Sequence, residues 1–267
     1  MKLQRNRPIG VFDSGLGGLT VVKSVHRLLP NEDIIYFGDT ARVPYGNKSR
    51  SSVIRFSREI TAFLVTRGVK MVVVACNTAS SLSLSSLRRT FPVPIIGVIN
   101  SGVTEALRVS KNKRIAVIGT NSTISSRVYD IETAKKDPSC HFYSQKCPLF
   151  VPLVENGLIK DEITYQIARR YLNGLKSKNI DTLILGCTHY PALKAVIKSV
   201  MRGVNLVDSS SMVAKDVKEI LLEKGLARSA SRRTGRISTY VSDDVEGFNK
   251  SAGIFFKKRL KTRKAIP

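Results

Sequence analysis

The chain has 267 residues, 42% of them apolar, enough to bury a substantial core in one large domain or two modest ones. Its formal charge of +24, from 44 Lys and Arg against 20 Asp and Glu, favours anionic partners ranging from a small dicarboxylate to nucleic acid. No run approaches the roughly 20 apolar residues of a membrane-spanning helix, and no apolar stretch of signal-peptide length follows the basic start Met1–Arg7, so a cytoplasmic protein is expected.

Strand and helix signals alternate along the chain. Pro8–Asp13 reads as a short buried strand, followed by a glycine-rich turn and a helical pattern over Leu19–Leu29. Asp33–Phe37 reads as a second strand and Ser51–Arg67 as a helix. The β-branched run Val69–Ala75 is too short for a helix and reads as a third strand. A helix near Ala79–Thr90 and a strand at Pro94–Ile99 follow. This order predicts an α/β fold, with doubly wound parallel sheets covered by helices on both faces.

The second half repeats the first. Arg114–Thr120 (RIAVIGT) resembles Pro8–Ser14 (PIGVFDS), and Ile180–Cys187 (IDTLILGC) resembles Val69–Cys76 (VKMVVVAC), at offsets of 106 (115 − 9) and 111 (187 − 76). Two similar domains related by internal duplication are therefore expected, 1–98 plus 209–267 and 99–208. In each copy a buried strand ends on a cysteine, followed by a polar residue and the start of a helix. Ligands of open α/β sheets bind beyond the carboxyl ends of strands. Two such domains facing one another would bring both cysteines to one cleft.

After Val207 the pattern gives a helix over Ser211–Lys224, a basic loop, a strand around Ile237–Val241 and an amphipathic helix near Val245–Leu260. This segment is expected to pack back on one domain, leaving a mobile tail from Lys261. Six of the eight residues from Lys257 to Lys264 are basic, and Arg228, Arg232, Arg233 and Arg236 lie upstream. Basic residues also cover nearly every expected helix, so the charge reads as solvated surface. Nucleic acid is compatible with it but not favoured.

Asp13–Gly18 (DSGLGG) follows a strand and opens a helix, but Thr20 stands where a dinucleotide fingerprint needs its third glycine. The loop offers instead a carboxylate, a hydroxyl and backbone amides able to hold an anion. The four cysteines, at 76, 140, 147 and 187, have no CxxC spacing, which argues against a disulfide framework or a zinc site. Cys140 and Cys147 read as small buried apolar residues. Cys76 and Cys187 differ, because hydrogen-bonding residues follow each at a strand end, where a helix N-terminus would favour the thiolate. His189 reads as a nearby proton partner for Cys187 or, equally, as a satisfied structural histidine. Two thiols suit a reaction that takes the Cα hydrogen from one face of an amino acid and returns a proton to the other, since a thiol serves as acid or base near neutral pH. No lysine sits in a pyridoxal context, which fits a route without cofactor.

The stretches DSGLGGLTV (13–21), GDTARVPYG (38–46), ACNTAS (75–80), PLVENG (152–157) and GCTHYP (186–191) together resemble glutamate racemase, of the aspartate/glutamate racemase superfamily, from about Ile9 to Phe255. The resemblance implies interconversion of L- and D-glutamate to supply peptidoglycan synthesis, with no cofactor and no metal. By motif match Cys76 would take the Cα proton of D-glutamate and Cys187 that of L-glutamate. Asp13 would support Cys76, and Glu155 and His189 would support Cys187. Ser14, Tyr45, Gly46, Asn77, Thr78, Thr120, Thr123 and Thr188 would hold the carboxylates and the amine, together with Asp13 and His189. Asp39 matches a motif acid and reads equally well as a structural turn residue. Where the family commonly has Glu-Pro, this chain has Asn100–Ser101, which implies altered hinge behaviour or regulation. Another two-cysteine enzyme such as an aspartate racemase, or a racemase scaffold with a second, nucleic-acid-binding role, is the alternative. A homo-oligomer is compatible with the sequence.

Overall fold

The computed structural model describes residues 2–229, 233–256 and 260–267. Arg232 and Lys257–Arg259, part of the basic run, lie outside the described residues. The chain divides into two compact units, Met1–Val98 with Ser210–Pro267, and Ile99–Ser209.

A short helix α1 (Lys2–Arg5) precedes β1 (Ile9–Asp13), α2 (Leu19–Leu28), β2 (Ile34–Gly38), α3 (Arg50–Thr66), β3 (Met71–Val74), α4 (Asn77–Thr90) and β4 (Ile95–Gly97). The second unit follows with α5 (Ile99–Val109), β5 (Arg114–Gly119), α6 (Asn121–Ser125), α7 (Val128–Lys136), β6 (His141–Lys146), α8 (Phe150–Glu155), α9 (Glu162–Lys176), β7 (Thr182–Gly186), α10 (Lys194–Val200) and β8 (Asn205–Val207). The chain then returns to the first unit as α11 (Ser210–Glu223), β9 (Ile237–Val241), α12 (Val245–Ala252) and β10 (Thr262–Lys264).

Both sheets are parallel throughout, in the orders β10-β9-β2-β1-β3-β4 and β6-β5-β7-β8. Matching β5 to β1 and β7 to β3, as the sequence repeat demands, makes the second order the same as β2-β1-β3-β4. The duplication therefore extends to strand order, and the returning segment adds β9 and β10 beside β2. The central strands β1, β3 and β7 are buried at every residue, as parallel strands with helices on both faces must be. The edge strand β6 is only partly buried and carries His141 and Lys146 at its exposed ends.

At the amino end of the first sheet, Lys70 forms a buried ion pair with Glu32 and donates to the carbonyls of Arg5 and Leu226, each at 2.9 Å. The backbone N–H of Arg228 donates to the same Glu32 at 2.8 Å, and the Arg228 guanidinium pairs with Asp33 at 2.8 Å. Four charges thus tie the N-terminal segment and the returning segment to β2 and β3. Arg228, expected as solvated surface, is instead a mostly buried latch residue with a side chain 9% exposed.

Four further expectations need correction. The tail from Lys261 is held: Thr262–Lys264 pairs with Thr239–Val241, Thr262 Oγ1 donates to Asn249 at 2.7 Å, and Ala265 N donates to Val241 O at 2.9 Å. The last amphipathic helix stops at Ala252. The strand expected to reach Ile99 stops at Gly97, because Ile99 already opens α5, and Asn100 and Ser101 lie in that helix's first turn. Finally, no α-helix begins at Cys187. A turn and the 3-10 segment Tyr190–Leu193 intervene, with Pro191 beside its start.

Candidate active site

In the first unit the expected residues converge on the carboxyl ends of β1, β2 and β3. Cys76 follows β3 and caps α4, where Ala79 N donates to its Sγ at 3.5 Å. A sulfur there meets the positive end of a fourteen-residue helix, which favours negative charge on it. The Cys76 thiol also lies 3.7 Å from Ser14 Oγ. Ser14 sits in a loop shaped by its neighbour Asp13, whose fully buried carboxylate accepts from Gly15 N at 3.3 Å and Gly18 N at 3.0 Å. Gly18 has to be glycine, since a Cβ there would lie 2.6 Å from that of Asp13. Asn77 and Thr78, both buried, form the first turn of α4.

Tyr45 and Gly46 lie on a buried turn that packs against α4. The Tyr45 hydroxyl donates to Asp39, which also accepts from Arg42 Nε at 2.7 Å and from Ser242 Oγ of the returning segment at 2.8 Å. Burial, joined by the Asp39 charge, pushes the Tyr45 phenol far above its ordinary range and keeps it neutral. Asp39 is thus a structural hub behind the Tyr45 turn.

In the second unit the corresponding positions are at the ends of β5 and β7, paired so that Gly119 faces Gly186. Thr120 caps α6, accepting from Thr123 N at 3.3 Å, and the two threonine hydroxyls lie 2.9 Å apart. Cys187 has no helix behind it. Instead its Sγ lies 3.8 Å from Nδ1 of buried His189, whose Nε2 lies 3.2 Å from Glu155 Oε1 at the end of α8. The imidazole thus stands between the sulfur and the carboxylate, its outer contact at ion-pair distance. Thr188 is buried beside them in sequence.

Cys147 is fully buried, and burial together with the nearby Cys187 charge pushes its thiol far above the ordinary thiol range, which suits an inert core residue. Burial likewise raises Cys140.

Two tyrosines escaped the reading of the sequence. Tyr36 on β2 is fully buried and donates to Gly15 O at 2.6 Å. Tyr190 is fully buried and donates to Cys147 O at 2.8 Å, anchoring the turn after Cys187. The only signal in the sequence was chemical: a tyrosine in an apolar run must still satisfy its hydroxyl.

A family model described as Asp/Glu/Hydantoin racemase matches residues 9–217. Glutamate racemase of Aquifex aeolicus is 49% identical over 235 residues, 88% of either chain. That of Geobacter metallireducens is 47% identical over 255 residues, 95% of this chain and 94% of the relative. The chain belongs to the glutamate racemases, within the Asp/Glu/hydantoin racemase family. Among solved structures, glutamate racemase from Francisella tularensis in complex with D-glutamate superposes with a TM-score of 0.92 at 38% identity, covering 98% of both chains. The chain is accordingly an amino-acid racemase, an isomerase, with the α/β fold of two parallel sheets that those structures share. Among the described residues no helix is long and apolar enough to cross a membrane.

Proposed function

We propose that this chain interconverts L- and D-glutamate in the cytoplasm, without a cofactor, and so supplies D-glutamate for peptidoglycan synthesis. The observation that carries the reading is the pair of strand-end thiols in a duplicated fold, each with its own proton machinery: Ser14 and the α4 N-terminus at Cys76, His189 and Glu155 at Cys187.

In the L to D direction the Cys187 thiolate takes the Cα proton of L-glutamate, leaving the electron pair on Cα. The Cys76 thiol delivers its proton to the opposite face. In the reverse direction the thiols exchange roles, and each recovers its starting state through solvent. Asp13 supports Cys76, while Glu155 and His189 orient the Cys187 side or carry its proton. In this scheme both thiols serve one substrate. Ser14, Tyr45, Gly46, Asn77, Thr78, Thr120, Thr123 and Thr188 offer hydroxyl, amide and backbone donors to the two carboxylates, and the amine finds acceptors among the same groups. Donors in such number suit a dicarboxylate, held by several hydrogen bonds to charged oxygens. The basic exterior is solvated surface that draws the anionic substrate, and a homo-oligomer is compatible with this scheme.

A chiral assay with glutamate and aspartate, without added cofactor, tests the assignment. Racemisation of glutamate well ahead of aspartate is expected. Turnover of aspartate without glutamate would make the chain a racemase of another substrate.

A further inference from the structure

The loop that carries Asp13 and Ser14 is fixed from two sides. Asp13 gathers the N–H groups of Gly15 and Gly18. From β2, the Tyr36 hydroxyl holds the Gly15 carbonyl at 2.6 Å. The fit is close, since a Cβ on Gly38 would meet that same carbonyl oxygen at 2.8 Å, and one on Gly18 would lie 3.0 Å from the Tyr36 hydroxyl. Ser14, between these anchors, stands 3.7 Å from the Cys76 sulfur.

The second copy of the fold shows that the architecture itself does not require this arrangement. Val11 pairs with Tyr36 in the first sheet, whereas the equivalent Val117 pairs with Ser144 in the second. Gly119 stands where the first copy has Asp13, and the loop that follows is closed by Thr120 on its own helix. The carboxylate and the phenol are thus features of the Cys76 half alone. Burial, with the charges of Asp13 and Cys76 added, pushes the Tyr36 phenol well above its ordinary value, so it remains a neutral donor throughout the working pH range.

We propose that Tyr36 is a positioning residue for the Cys76 half-reaction: by holding the Gly15 carbonyl it fixes Ser14 and Asp13 against the thiol that serves D-glutamate. The inference rests on the racemase reading above and deepens it, since it assigns to one face of the substrate a group that touches neither substrate nor sulfur.

The test is the primary deuterium isotope effect on kcat/KM, measured separately with Cα-deuterated D- and L-glutamate, in the parent and in Tyr36→Phe. Enantiomers have equal free energy, so kcat/KM must fall equally in both directions, by about tenfold for one lost hydrogen bond. The isotope effects need not move together. If the Cys76 step alone is slowed, proton removal from D-glutamate limits the rate more and its isotope effect rises. Removal from L-glutamate becomes a pre-equilibrium, and its isotope effect falls. His189→Gln on the other thiol should give the mirror image. A merely structural role for Tyr36 would lower turnover of the folded variant and leave both isotope effects as in the parent, and that result would overturn the proposal, as would unchanged kcat/KM. If Tyr36→Phe does not fold, Gly38→Ala, which presses on the same Gly15 carbonyl, decides by the same asymmetry. A parent chain without glutamate turnover would overturn the racemase reading and this inference with it; a parent that turns over, with no asymmetry in the variant, overturns this inference alone.

Discussion

His189 Nδ1 lies 3.8 Å from the sulfur of Cys187, while the other ring nitrogen lies 3.2 Å from the Glu155 carboxylate. Cys76 is met by a helix N-terminus and by Ser14. The two copies of the repeat thus surround their strand-end thiols differently.

His189→Gln removes the acid–base ring and keeps hydrogen-bonding capacity, so kcat should fall about 10²- to 10⁴-fold, the usual range for a lost acid–base partner. Glu155→Gln removes only the charge that orients the ring and should cost less. Steady-state rates in both directions check this order. A Glu155→Gln loss larger than that of His189→Gln would show that the carboxylate acts without the imidazole.

The latch at the amino end of the first sheet predicts a large stability effect remote from the chemistry. Lys70→Met leaves the Glu32 carboxylate buried with the Arg228 N–H as its remaining donor among the described residues. Breaking one side of a buried pair costs about 3–5 kcal/mol. Urea unfolding should show a loss of that order, and a loss below about 1 kcal/mol would mean that the pair is solvated in the folded chain.

The Asp33 carboxyl makes the same latch pH-dependent. Burial opposes its ionisation, but the Arg236 N–H and the guanidinium groups of Arg228 and Arg233 outweigh burial and hold it below its ordinary value of 3.8. A carboxyl with a depressed folded value stabilises fully above its unfolded value and loses that contribution as pH falls through the folded one. The stability difference between parent and Asp33→Asn should therefore be constant near neutrality and shrink below about pH 4. A difference that grew with acid would reverse the sign of the interaction.

Deleting residues 261–267 removes β10 and with it the Thr262–Asn249 and Lys264–Asp243 contacts. The melting temperature should fall by several degrees, as about 1–2 kcal/mol does in a domain of this size, while KM for glutamate stays within about twofold. A folded deletion variant with lost turnover would place the basic tail in the site.

The candidate site is legible in the sequence because its residues sit where strands end. IDTLILGC and VKMVVVAC are short β-branched or apolar runs, and a cysteine closing each copy of a repeat stands out. What it hid depends on distant partners. Arg228 sits in a polar loop and reads as solvated, yet its carboxylate partner Asp33 lies 195 residues earlier. Tyr36 sits in an apolar run, and its hydroxyl meets a carbonyl 21 residues away. β10 is three residues, Thr-Arg-Lys, whose composition opposes a strand, and only pairing with Val241 and its neighbours makes it one. A helix is expected after Cys187 because the residues before it repeat those before Cys76. The chain there instead turns around Tyr190, whose hydroxyl is committed to Cys147.

The two-thiol mechanism itself is tested most directly by hydrogen exchange at Cα during one-way turnover of L-glutamate in D2O. Each thiol equilibrates with solvent between turnovers, and neither serves both faces. Newly formed D-glutamate should carry solvent deuterium at Cα, while unreacted L-glutamate stays protiated in the early phase. Cys76→Ala and Cys187→Ala should each abolish racemisation. Substantial retention of the original proton in the product, or near-parent turnover in either variant, would contradict two bases on opposite faces and indicate a single mobile one.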